Sequence, residues 1–247
     1  GLIGKKYYHE FYLNCTRPNL MAKNSIRSIR REELSRAAFE AVARYGLRKA
    51  TLEKVGEIAG VSKGVVLHHF KDKSSLLEAV FRKSNSLLSE SVIELYRHSD
   101  TPYERLWSII IANFFPTIFN RKVCQAWVSL LSEVTHNKTC LRIQAANNAR
   151  IQSNLVHVFK NFLDPIDAQR TALHFGMLID GIWVRNGLQT ARVDSEKAIS
   201  EMEYAILNML PNNKTSIEMH HEARQKITSI ANIALGSKAY KEKSMLN

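Results

Sequence analysis

Two short runs of apolar residues at helical spacing, separated by Ala59-Gly60-Val61-Ser62, dominate the pattern of residues 51–73. In the first, Leu52, Val55, Ile58 and Ala59 recur three or four positions apart, on one face of a helix. Thr51 stands where an N-cap oxygen is needed. Gly60 stands just past the end, where a left-handed residue closes a helix without steric cost. Ser62 is a second N-cap, opening a shorter segment with Val65, Val66 and Phe70 on its inner side. Helix, glycine turn, helix is the helix-turn-helix unit, whose second helix enters the DNA major groove. Paired helices around a glycine turn also occur in proteins that bind no DNA, so the outward residues matter. They are Lys63, Gly64, Leu67 and His68, with no acid among them. A further helix starts at Asp72-Lys73-Ser74, where Lys73 beside free backbone N–H groups predicts a phosphate site.

The same periodicity continues on both sides. Leu34, Ala38, Ala41, Val42 and Tyr45 form the apolar face of a helix over about 25–45, ended by Gly46. Arg27, Arg30 and Arg31 lie near its start, where cations oppose the helix dipole; phosphate contact or plain solvated charge would each account for them. A longer helix follows Lys73 to about His98, with Leu76, Leu77, Val80, Phe81, Leu87 and Leu88 inside. Thr101-Pro102 restarts a helix carrying Leu106, Trp107, Ile110, Phe114 and Ile118, which Pro116 kinks or ends. Further helices are expected over about 123–136, 139–162, 165–189 and 195–210. The segment from Pro211 reads as a polar tail, partly helical near 227–235 or disordered. The expected fold is all-α. Residues 25–75 form a three-helix head, 76–210 a helical body and 211–247 a tail. Residues 1–20 show no clear period; with Met21 as a natural start they read as an upstream remnant, or else as a basic arm, and residues 1–24 are left out of the fold.

Charge sharpens the division. Residues 21–75 carry twelve Lys or Arg against six acids, whereas 76–210 carry fourteen against thirteen. The net +12 therefore concentrates on the head and the two ends, as suits a polyanion-binding domain on a nearly neutral body. Cys15, Cys124 and Cys140 are too few and too scattered for a disulfide framework or a zinc site, which points to a reducing, cytoplasmic setting. No apolar run reaches membrane-spanning length.

Thr51, Ile58-Ala59, Val61-Ser62, Gly64, Phe70, Lys73 and Leu76-Leu77 resemble the signature of the tetracycline-repressor family of bacterial regulators. The resemblance implies a dimer on a palindromic double-stranded operator, a head of three helices, and a ligand-sensing, dimerising body. On the resemblance together with the residue reading, Arg30, Arg31, Thr51, Ser62, Lys63, Gly64, Val65, His68, His69 and Lys73 are taken as the DNA-binding set. Many members carry Tyr at the position of Leu67; a leucine cannot donate to phosphate, so His68 or His69 is expected to serve. Ser28-Ile29-Arg30-Arg31, Ala126-Trp127 and Leu178 to Arg185 are similar to the choline-responsive repressors of glycine-betaine synthesis within that family. An effector such as choline is thereby implied, with regulation of another pathway or an efflux gene by a different small ligand as the alternative.

A quaternary ammonium needs aromatic faces and an anion, because it donates no hydrogen bond. Trp107, Phe114, Phe115, Trp127 and Trp183 are the aromatics available in the body, and Glu133 and Asp180 are acids within apolar stretches. Trp107, Phe114, Trp127, Asp180 and Trp183 are taken as the ligand set, although aromatics at helical spacing are commonly core. Asp180-Gly181 also suits close helix packing. Nothing forms a catalytic constellation: His68-His69 are a poor metal pair, His220-His221 fall in the expected tail, and Asp180 lacks a base or nucleophile. A DNA-binding regulator is expected, ahead of a helical interaction protein and well ahead of an enzyme, with no cofactor and no metal.

Overall fold

The computed structural model describes residues 26–237 and residue 240. The expected N-terminal extension and Cys15 lie outside the described residues. Among the described residues there are ten helices and no strand, so the chain is all-α.

The first helix, α1 (Ile26–Lys49), buries Leu34, Ala38, Ala41 and Val42 as its period requires. Gly46 breaks its helical geometry with φ 74° and ψ 163°, a conformation that favours glycine. Tyr45 does not join the apolar face; it is exposed and lies beneath the Lys54 ammonium, 4.1 Å from its ring centre. Helix α2 (Leu52–Ala59) and helix α3 (Lys63–His69) follow, and both expected N-caps form. Thr51 accepts from the Lys54 N–H at 3.3 Å and Ser62 from the Val65 N–H at 3.4 Å. Gly60 takes the left-handed conformation at φ 67°. A second glycine is as necessary: a Cβ on Gly56 would lie 2.6 Å from the Val61 carbonyl oxygen, so only glycine lets the turn fold back onto α2. Val66 and Phe70 are buried, but Val65 is turned outward, contrary to its expected inner position. Seven residues span two turns of helix, and the inner face is filled by Val66 and Phe70 alone.

Helix α4 (Lys73–Tyr96) leads from the head into the body. The body comprises α5 (Pro102–Phe114), α6 (Arg121–Leu131), α7 (Lys138–Phe159), α8 (Pro165–Leu188), α9 (Ser195–Met209) and α10 (Lys214–Ala234). Thr101 and Glu104 close a capping box with Pro102 at the first helical position, and α5 stops at Phe114 ahead of Pro116. Every residue from Leu106 to Phe114 is buried, Ser108 and Asn113 included, so this helix runs through the core. Helices α4, α7, α9 and α10 pack around it. Helix α6 ends at Leu131, five residues before the expected His136, and turns lead into α7. Helix α8 packs on α6 so closely that a Cβ on Gly187 would lie 2.5 Å from the Cys124 carbonyl oxygen. Gly181, expected to serve close packing, has nothing within 4 Å in this chain.

The tail needs correction. Residues 214–234 form one helix that lies on α5, burying His220, Ala223, Ile227 and Ala231, with Leu235 just beyond. Arg224 pairs with Glu196 and Glu203, and Lys226 with Asp100 and Glu104 at 3.0 Å each. Alanines, Ser216 and His220 make up most of the stripe, which is why its hydropathy reads as polar despite Ile227.

Candidate DNA interface and ligand cavity

Helix α3 is held at both ends. Ser62 caps its start, and at its end Arg31 reaches across from α1 to donate to the His69 carbonyl oxygen at 2.6 Å. The Arg31 guanidinium also lies over the Phe70 ring, 4.3 Å from its centre. A cation at a helix C-terminus meets the free carbonyls and the negative end of the dipole. Arg31, expected on a phosphate, therefore has an internal role as a clamp. Arg30 pairs with Glu33 at 2.8 Å along its own helix.

The outward face of α3 presents Lys63, Gly64, Val65, Leu67 and His68, all exposed, with Ser62 at its head. Lys63 pairs with Glu53 of α2 at 2.5 Å, and its hydrogen bond is the first of the contacts that hold the Glu53 carboxyl down at about 2. His68 and His69 meet edge to face at 5.3 Å, on different sides of the helix. His69 is half-buried, its Nδ1 lacks a partner, and burial, followed by the electrostatic influence of the neighbouring His68, Arg27, Arg30 and Arg31, lowers its pKa. His68, by contrast, is exposed on the outward face.

Lys73 also departs from its expected setting. Its ammonium donates to the Leu47 carbonyl oxygen at 2.7 Å, tying the start of α4 to the end of α1. The N–H groups there are not free either: Asp72 accepts from the Ser75 N–H at 2.7 Å, and Ser75 returns a bond to the Asp72 backbone. A resident carboxylate occupies the place read as a phosphate site.

In the body, a cavity of about 60 Å³ lies between α1, α4, α5, α6, α7 and α8. Trp127, Trp183 and Asp180 line it, as do Phe39, Asn85, Asn113 and Gln144. The two indole centres are 6.4 Å apart with planes at 64°, forming two walls of a corner. Trp127 stacks on Phe81 and Trp183 meets Phe119 edge to face, so neighbours hold both indoles. Burial raises the Asp180 pKa, although its outer side is exposed on α8. Trp107 and Phe114 do not reach the cavity. Both are fully buried core residues, Trp107 beneath Arg224 and Phe114 against Phe119. Phe115 and Glu133 do not line it.

The helical period of Phe39 marks it as head core, yet it is where α1 touches the cavity. Asn113 carried a readable signal, a lone amide inside Ile109-Ile110-Ile111-Ala112-Asn113-Phe114. Cys124 is buried and its thiol is pushed up to about 12 by burial, which makes it inert. The described residues hold no group of three or more His, Cys, Asp or Glu placed to bind a metal ion, and no described helix is long and apolar enough to cross a membrane.

Residues 34–80 match the family of bacterial regulatory proteins, tetR family, and residues 102–211 match the BetI-type transcriptional repressor C-terminal domain. The HTH-type transcriptional regulator BetI of Pseudomonas aeruginosa PAO1 is 34% identical over 182 residues, 73% of this chain and 92% of that protein. The chain belongs to the TetR family of transcriptional regulators, with a BetI-type C-terminal domain. The BetI of Escherichia coli K12 is 32% identical over 195 residues, 78% of this chain and 100% of its own. Among solved structures, a transcriptional regulator from Saccharomonospora viridis in complex with choline superposes with TM-score 0.66 at 18% identity, over 74% of this chain and 98% of that one. A TetR regulator from Haloarcula marismortui gives TM-score 0.67 at 19% identity, over 74% of this chain and 100% of that one. At such identities the likeness is one of fold. The two family matches fall on the head and on the body up to residue 211, so α10 lies beyond them.

Proposed function

We propose that this TetR-family protein is a dimeric, effector-responsive repressor that binds a palindromic operator through α3. Its effector is choline or a related quaternary ammonium, and its targets are genes of choline-to-glycine-betaine conversion. The observation that carries the reading is the cavity itself. Two indole faces and a carboxylate border one space, and helix α1, which holds the end of the recognition helix through Arg31, and helix α4, which follows that helix in the chain, supply further walls. A cation in that corner lies within reach of both π faces, each worth on the order of 1 kcal/mol. The BetI-named relatives and the choline-bound regulator of similar fold support the assignment.

The cavity's 60 Å³ is about twice one water's share of liquid volume, ~30 Å³. An ammonium bearing three methyl groups fits only if the walls part. Phe39 on α1 and Ser84, Asn85, Leu87 and Leu88 on α4 are among those walls. Parting them moves α1 against α4, and with them the two recognition helices of a dimer away from their half-site spacing. The shift is limited by the ligand's differential affinity for the two shapes.

Pairing of two chains is supported by an exposed apolar stripe on α8, Ile166, Leu173, Met177 and Leu188, joined by Tyr204 on α9. On the DNA side, Ser62, Lys63, Gly64, Val65 and His68 face the groove, while Thr51, Arg31 and Lys73 hold the frame. The test is calorimetric titration of choline into wild type and Trp183→Leu, with gel shifts on the operator and melting temperature as the folding control. Choline should bind wild type, weaken its operator complex, and bind the Leu variant about tenfold or more weakly. Equal binding by two folded proteins removes Trp183 from the cage. No binding to wild type removes choline and leaves the DNA reading standing.

A further inference from the structure

The amide side chains of the same cavity carry a second requirement, which rests on reading it as a cation site. Asn85 Nδ2 donates to the Phe81 carbonyl oxygen at 3.0 Å, and Asn113 Nδ2 donates to the Ile109 carbonyl oxygen at 2.8 Å. A helix carbonyl only accepts, so the NH₂ end of each amide must face its own helix. That leaves the oxygens, and neither Asn85 Oδ1 nor Asn113 Oδ1 has a hydrogen-bond partner. Gln144 Nε2 donates to the side-chain oxygen of Asn148 at 2.9 Å, and Gln144 Oε1 has no partner. All three residues line the cavity, and Asn85 and Asn113 are only 7% and 2% exposed. Asn147 differs, because Arg150 donates to its Oδ1 at 2.6 Å. The Ser84 and Thr117 hydroxyls are turned to the carbonyls of Val80 and Leu235.

Unmet buried acceptors are costly and few in native cores, and three around one small space call for a donor that enters with the ligand. We infer that the cavity recognises a hydrogen-bond donor on its ligand as well as a positive charge. The ligand class is a compact ammonium ion carrying a hydroxyl or an N–H, with Asn113, Asn85 and Gln144 as specificity-determining residues. A bare tetraalkylammonium satisfies Asp180 and the two indoles but leaves the amide oxygens unmet. A hydroxyl two carbons from the nitrogen supplies the missing donor. Sites built around a ligand hydroxyl reject the analogue that lacks it, because their own polar groups are then left unpaired.

The experiment titrates the full chain calorimetrically with choline, with propyltrimethylammonium, which replaces the hydroxyl by a methyl group, and with N,N-dimethylethanolammonium, which adds an N–H. In wild type the two donor-bearing ions should bind at least about tenfold more tightly than propyltrimethylammonium. Asn113→Leu should bring the three affinities to within about threefold and raise the melting temperature of the free protein as an orphan acceptor is removed. Gln144→Met, at a half-buried position on α7, makes the same comparison should the Leu variant not fold. Equal binding of choline and propyltrimethylammonium by wild type overturns the inference and leaves the cation reading intact. Binding of none of the three overturns both.

Discussion

Arg31→Ala separates two roles that a surface arginine near a recognition helix can play. The Arg31 guanidinium donates to the last carbonyl of α3 at 2.6 Å and covers the Phe70 ring at 4.3 Å. Arg31 is exposed, so the charged hydrogen bond is worth about 1 kcal/mol rather than the 1.5–3 of a buried one. The stacking adds about 0.5–1 kcal/mol. Their loss should raise local opening of α3 by roughly 10–30-fold without unfolding the body. Hydrogen exchange of the α3 amides measures that opening, and operator binding across a salt series measures the other role. A clamp predicts faster exchange, weaker operator binding, and an unchanged slope of log affinity against log salt. A phosphate contact predicts a slope reduced by about 0.9 and unchanged exchange. The second pair of results would refute the clamp. Arg31→Lys should recover only part of the loss, because an ammonium keeps the charge but not the planar face.

Four further outcomes follow from single features. His220 is buried against Tyr103 and Phe162, and burial lowers its pKa from 6.5 to about 4. The unfolded chain then binds the extra proton first, so stability should fall by about 3 kcal/mol as pH drops from 6.5 to 4, and His220→Phe should flatten that loss in acid denaturation curves. Asp180 has a raised pKa, so above it the carboxylate weighs against the fold. Asp180→Asn should keep or raise the melting temperature at pH 7, lose that advantage below pH 4, and bind ammonium ions roughly tenfold or more weakly by calorimetry. Gly181→Ala meets nothing within 4 Å in the single chain and should gain helix propensity of up to about 1 kcal/mol; a weaker dimer by sedimentation places α8 in the interface, and an unchanged dimer removes Gly181 from it. Gly56→Ala, with its Cβ 2.6 Å from the Val61 carbonyl oxygen, should abolish operator binding in gel shifts while leaving ammonium binding intact.

What could be read from the sequence follows the range of the forces involved. Thr51, Gly60, Ser62, Thr101 and Pro102 act on atoms within four residues, and each takes its expected place. Trp127, Trp183 and Asp180 have the chemistry of a cation site and line one cavity, whereas Trp107 and Phe114 share the aromatic part of that chemistry and are core. Spacing tells which helix face a ring lies on, not whether the opposing helix leaves a gap. Helix α10 escaped notice for a related reason. Ala223 and Ala231 bury little area each, and their worth depends on how closely α5 approaches.

The basic head shows the limit most sharply. Its excess of six positive charges creates an attraction for polyanions whichever side chains are internally paired, since Lys63 on Glu53 or Arg30 on Glu33 changes no net charge. Non-specific attraction to DNA is thus legible in composition alone. The assignment of cations to phosphates is not, because a helix C-terminus and a phosphate group present the same attraction to a guanidinium. Arg31 lies 38 residues before its acceptor at His69, and Lys73 lies 26 after Leu47. Both hold the geometry of α1, α3 and α4 rather than standing free on its surface. If they act as frame, the phosphate contacts fall to cations outside that frame, and substitutions at Arg31 and Lys73 should lower affinity without lowering the salt slope. Specificity then rests on the exposed edge of α3, where Val65 and Leu67 offer apolar contact suited to a thymine methyl group and Lys63 and His68 offer donors suited to guanine.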